Sequence, residues 1–127
     1  MKHGSVLIVE DDQTLRRLLC RAFEESGFEV RGVGSGGEAL GILETAPPRG
    51  VVLDLQLSDR MGGRVLDRLR EMRDVEGVRP VWVVISVLDE GEAVARYGPL
   101  AGPFLAKPFN PWDLVRLLRG LVTGRNR

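Results

Sequence analysis

The chain has 127 residues, of which 43% are hydrophobic and 28% charged, and its 18 basic and 18 acidic side chains cancel. A chain of this size and mixture forms one globular domain with a real core. Its balanced charge supplies no global field that would draw it to nucleic acid or an anionic membrane. A single cysteine, Cys20, excludes an internal disulfide. There is no leader pattern, and no apolar run approaches the ~18 residues of a membrane helix, so the expected setting is the cytoplasm.

The apolar run Val6–Val9 (VLIV) predicts a strand buried on both faces. Leu15, Leu18, Leu19, Ala22 and Phe23 then recur at helical spacing as an apolar face, and Gly27 closes that helix. Phe28–Val33, broken by Glu29, Arg31 and Gly32, suits a strand at the edge of a sheet. Ser35 with Glu38 forms a capping box for a second helix through Leu43, which Pro47-Pro48 stops.

Val51–Leu55 is the third strand. A loop over Ser58–Gly63, with Gly62-Gly63 read as a turn, leads to a third helix carrying Val65, Leu66, Leu69 and Met72 on one face. Pro80 introduces the apolar strand Val81–Ser86. Asp89, with Glu92 three residues on, opens a short fourth helix that Gly98-Pro99 cuts off after Tyr97. Phe104–Ala106 is a brief fifth strand, and Asn110 caps a last helix with Pro111 at its first position. Leu114, Val115, Leu117, Leu118, Leu121 and Val122 give that helix an apolar face, and Thr123–Arg127 reads as a frayed tail or the start of a linker.

Five strands alternating with five helices predict an α/β fold, an open parallel five-stranded sheet with helices on both faces and right-handed crossovers. No repeat, low-complexity tract or second domain interrupts it, so residues 1–127 are expected to form one domain with a core over about 4–122.

The polar residues of interest sit where strands end. Glu10, Asp11 and Asp12 follow the first strand, Asp54 lies near the end of the third, Ser86 ends the fourth and Lys107 ends the fifth. The carboxyl ends of parallel strands form the crevice in which such sheets bind ligands. Glu10, Asp11 and Asp54 at close quarters repel unless a cation intervenes. Mg2+ is the natural cation, a hard ion held by a few carboxylates, waters and phosphate oxygens, and Mn2+ is its substitute. With Lys107 as a mobile positive charge and Ser86 as a hydroxyl, the set predicts a phosphoryl-transfer site with Asp54 as nucleophile.

The segments VLIVEDD (6–12), VVLDLQLSDRMGG (51–63), VVIS (83–86) and FLAKPF (104–109) together resemble the response-regulator receiver domain of two-component signalling. The resemblance runs over about residues 4 to 122 and implies a flavodoxin-like strand order of 2-1-3-4-5. It implies that Asp54 accepts the phosphoryl group and that Glu10 and Asp11 are the acidic pair, with Asp11 a direct metal ligand. Asp54 and the backbone carbonyl of Gln56 complete the protein's share of the coordination. Ser86 is then the switch hydroxyl, Lys107 its counter-charge and Phe104 the switch aromatic, with Lys107-Pro108 a cis peptide. The implied partners are a sensor histidine kinase or histidine phosphotransfer protein. Output would pass through the face of helix four, strand five and helix five, with a phosphorylation-dependent homodimer as one mode. Such a domain is a signalling switch, not an enzyme beyond its own phosphorylation and dephosphorylation.

Several positions depart from the pattern. Ser58 stands where the family usually has proline, which predicts a slacker loop after Asp54. Met61 replaces a small polar residue, Val87 follows Ser86 where alanine or glycine is common, and Leu88 is apolar and cannot position an attacking water. Helix four is short and followed by Gly98, Pro99, Gly102 and Pro103, so the output face is expected to be irregular and mobile. These departures keep open an alternative, a receiver-like interaction module that signals without phosphorylation. Cys20 reads as a buried filler, Trp82 as core and Trp112 as an exposed contact residue, and His3 has no metal-binding partner.

Overall fold

In the computed structural model the described residues are 4–73 and 80–124. Five strands, β1 (Ser5–Val9), β2 (Glu29–Val33), β3 (Gly50–Asp54), β4 (Val81–Ser86) and β5 (Phe104–Ala106), alternate with five helices. The helices are α1 (Gln13–Glu25), α2 (Gly36–Thr45), α3 (Gly62–Arg73), α4 (Glu90–Tyr97) and α5 (Pro111–Gly124). The strands form one parallel sheet in the order β2-β1-β3-β4-β5, the predicted topology.

Side chains alternate across each strand, and that alternation divides the core in two. Leu7, Val9, Val51, Leu53, Trp82 and Val84 face α2, α3 and α4 through Ala39, Leu43, Val65, Leu66, Leu69 and Ala93. Val6, Ile8, Val52, Val83 and Ile85 face α1 and α5 through Phe23, Leu114 and Leu118. Both faces of β1, β3 and β4 are covered, which is why those strands read as unbroken apolar runs. β2, at the edge, has only Val33 buried.

The caps follow the sequence signals. Ser35 Oγ accepts the Glu38 N–H at the start of α2. Asp89 and Glu92 form a complete capping box on α4. Asn110 Oδ1 accepts the Trp112 N–H at 2.8 Å. A cap of this kind contributes about 1 kcal/mol.

Some sequence expectations are corrected. Leu18 is 51% exposed, outside the apolar face of α1. Cys20 is half-buried, with its sulfur against the backbone of Gly32. Gly62 and Gly63 are not a turn but the first residues of α3. A Cβ at Gly62 would lie 2.1 Å from the Leu55 carbonyl oxygen, so glycine lets the helix start press directly on the end of β3. Helix α2 continues past Leu43 to Thr45, and α5 takes in Thr123 and Gly124, the first residues of the expected tail. His3 and residues 125–127 lie outside the described residues.

The connection from α4 to β5 is irregular, as expected, with Ala101 at a left-handed φ of 57°. It is nonetheless tied down. The Trp82 indole N–H donates to the Leu100 carbonyl at 2.8 Å inside the core, and Arg70 donates to the carbonyls of Tyr97 and Pro99.

Candidate functional site

The carboxyl end of β1 delivers Glu10 fully buried, its N–H bonded to the Val33 carbonyl of the neighbouring strand at 3.1 Å. Asp12 then caps α1, accepting the N–H groups of Thr14 and Leu15, and turns the chain away from the sheet. Arg16, one turn along α1, reaches back to donate to the carbonyls of Glu10 (2.8 Å) and Asp11 (3.5 Å). Cap and guanidinium together hold the backbone that carries the acidic pair.

Parallel register brings the other groups alongside. Val9 pairs with Leu53, so Glu10 follows Val9 at the level where Asp54 follows Leu53. Ser86 pairs with Ala106, and the next residue, Lys107, donates its N–H to the Ser86 carbonyl at 2.8 Å. The Lys107–Pro108 peptide is cis.

Asp54 is 3% exposed. Its Oδ1 accepts the Gln56 N–H and its Oδ2 accepts Lys107 Nζ, both at 3.0 Å. The same ammonium lies 2.8 Å from Glu10 Oε1, so one cation serves two buried carboxylates. Ligand atoms of Glu10, Asp11 and Asp54 all fall within 4.8 Å of one another. Three carboxylates around one ammonium leave negative charge uncompensated, and hard oxygen donors at this spacing are the chemistry that a small divalent ion satisfies.

Electrostatics follow from this crowding. Burial pushes the Glu10 carboxyl up to about 7, reinforced by the Asp54 charge and opposed by Lys107. Burial also works upward on Asp11, but two bonds from Ser58 outweigh it and hold that carboxyl below its ordinary value. Lys107 loses some basicity to burial, and its contacts with Glu10 and Asp54 more than restore it, so its net shift is upward.

The structure therefore brings Glu10, Asp11, Asp54 and Lys107 together, with the Gln56 backbone held on Asp54. Ser86 is buried at the adjoining strand end, its Oγ accepting the Leu88 N–H at 3.0 Å. Phe104 of β5 pairs with Val84 of β4 and is half-buried against the core. Val87 is 67% exposed.

Sequence reasoning missed three contributors. Arg16 carries no local sequence signal that sets it apart from the other arginines of α1. Ser58 and Asp59 lie in the loop expected to be slack, yet both anchor it. Ser58 donates its N–H (2.8 Å) and its hydroxyl to Asp11 Oδ2. Asp59 Oδ2 accepts the Gly37 N–H at the start of α2, and its Oδ1 accepts the Met61 N–H. Tyr97 of α4 donates to the Leu55 carbonyl at 3.4 Å, connecting α4 to the residue after Asp54.

The family model of the response regulator receiver domain matches residues 6–119. The chain belongs to that family. Among curated relatives, the acid tolerance regulatory protein ActR of Rhizobium meliloti is 43% identical over 114 residues, covering 90% of this chain and 57% of ActR. The transcriptional regulatory protein SrrA of Staphylococcus aureus is 28% identical over 119 residues, covering 94% of this chain and 48% of SrrA. This receiver spans about half the length of the curated relatives it matches. Among solved structures, the signal receiver domain of a histidine kinase from Syntrophus aciditrophicus superposes with a TM-score of 0.83 at 25% identity, covering 98% of this chain and 93% of that one. Among the described residues of this receiver, no helix is long and apolar enough to cross a membrane.

Proposed function

We propose that this receiver takes a phosphoryl group onto Asp54 from a phosphohistidine of a sensor histidine kinase or a histidine phosphotransfer protein, in the cytoplasm, with Mg2+ as cofactor. The observation that carries this reading is the constellation itself, two buried carboxylates with the half-buried Asp11 beside them. Three carboxylates offer ligand atoms within 4.8 Å, with an ammonium 3.0 Å from one of them. A structural salt bridge requires one carboxylate per cation, and a second buried acid beside it is costly without a further positive charge.

Asp11, Asp54, Glu10 and the backbone carbonyl of Gln56 would hold Mg2+, which when bound neutralises charge on the transferring phosphoryl oxygens. Asp54 supplies the nucleophile: a carboxylate oxygen forms the new P–O bond as the P–N bond to the donor imidazole breaks, and the imidazole leaves with the bonding pair. Lys107, already beside Asp54, stabilises the charge that arrives. Ser86 and Phe104 are the residues whose rearrangement would report the acyl phosphate to the face of α4, β5 and α5. Output would then follow as a population shift between two conformations, acting on a partner, an attached domain or a second copy of the chain.

Intact-mass measurement after incubation with acetyl phosphate and MgCl2 tests the reading. One added phosphoryl group, absent with EDTA and in Asp54→Asn, is expected. No adduct from acetyl phosphate or from a phosphorylated kinase domain would leave a phosphorylation-independent interaction module in its place.

A further inference from the structure

Ser58 is exposed in the loop after β3, yet both of its donors converge on a single acceptor 47 positions away, Asp11 Oδ2. Hydrogen bonds to a carboxylate are roughly twice as strong as neutral ones, and two on one oxygen fix the rotation of the carboxylate plane. The backbone of Asp11 is held independently, through its carbonyl, by Arg16. With Oδ2 held in this way, Oδ1 is the oxygen left for a metal ion. The residue type matters. Proline supplies neither donor, alanine supplies only the N–H, and threonine supplies both.

Outer donors of this kind orient metal-binding carboxylates. How much that orientation matters depends on the ion: Mg2+ demands near-ideal octahedral geometry, whereas Ca2+ accepts irregular coordination. We propose that Ser58 is a positioning residue for the divalent ion. It clamps Asp11 through Oδ2, presents Oδ1 to the site, and so sets the preference of this receiver for Mg2+ over Ca2+. The proposal rests on the Mg2+ site argued above and deepens it.

Isothermal titration calorimetry with MgCl2 and, separately, CaCl2 tests it on the wild type, Ser58→Ala and Ser58→Thr, with circular dichroism as a check on folding. Ser58→Ala is expected to weaken Mg2+ about tenfold, at the lower end of the losses caused by removing outer-shell partners. It should weaken Ca2+ much less, and Ser58→Thr should keep the wild-type ratio between the two ions. A folded Ser58→Ala that loses both ions equally, or binds Mg2+ unchanged or more tightly, overturns the positioning role and leaves the metal site standing. So does a Ser58→Thr variant that behaves like alanine. A wild-type protein that binds neither ion overturns the site, and this proposal with it.

Discussion

Lys107 reaches across 53 positions of sequence to donate a 3.0 Å hydrogen bond to Asp54. Its stem is mostly buried and its ammonium serves Glu10 as well. Lys107→Met would leave two buried carboxylates without a cation. Removing one partner of a buried ion pair costs about 3 kcal/mol, and proton uptake by Glu10 relieves part of that. Thermal melts in EDTA should show the variant clearly destabilised, and saturating Mg2+ should recover more of the loss than it adds to wild type. Equal Mg2+ stabilisation of the two proteins would contradict this picture.

Glu10 gives the metal-free protein a distinctive pH response. Burial raises its carboxyl from 4.5 to about 7. A carboxyl whose folded-state pKa lies above its unfolded value holds its proton more tightly when folded. Its contribution is therefore most favourable below pH ~4.5 and is lost as pH rises through ~7. At about 1.4 kcal/mol per pKa unit the full effect is about 3 kcal/mol. Stability in EDTA should fall across that window, and Glu10→Gln should flatten the fall. A wild-type profile that Glu10→Gln leaves unaltered would contradict the assignment.

Gly62 is a packing constraint on the site. A Cβ there meets the Leu55 carbonyl oxygen at 2.1 Å and its carbon at 2.7 Å. Either the start of α3 or the end of β3 must move, at about 1–3 kcal/mol. Gly62→Ala is expected to lower the melting temperature and also to weaken Mg2+ binding, because Leu55 adjoins Asp54. Gly41, with nothing within 4 Å of a Cβ, is the control: Gly41→Ala should be neutral or stabilising.

If Asp54 carries the phosphoryl group, Leu88 is expected to lengthen its stay. It is half-buried just after Ser86, and its side chain has no group to orient a water molecule. Leu88→Glu should shorten the half-life of the phosphorylated protein, by up to about a hundredfold if the carboxylate acts as a full general base. Decay followed by intact mass gives the answer, and no acceleration would remove Leu88 from the account.

Much of this was legible in the sequence, and the limits have physical causes. β1, β3 and β4 are covered on both faces, so they appear as plain apolar runs, and an aspartate inside VVLDL stands out because a buried carboxylate needs a partner. Caps such as Ser35, Asp89 and Asn110 are local and therefore visible. Leu18 was misplaced because helical spacing gives the direction of an apolar stripe but not its width, and this leucine falls just outside it. Ser58 with Asp11 and Asp59 with Gly37 join residues 47 and 22 positions apart. No local pattern marks such pairs, and only the folded loop shows that serine in place of proline adds a tether.

Chemical trapping tests the central claim most directly. Borohydride reduces an acyl phosphate and marks the carboxyl that carried it, so the protein is phosphorylated in Mg2+, reduced, digested and mapped by tandem mass spectrometry. The account predicts modification at Asp54 alone. Modification at Glu10, Asp11 or another carboxyl instead, with Asp54 unmarked, would contradict it.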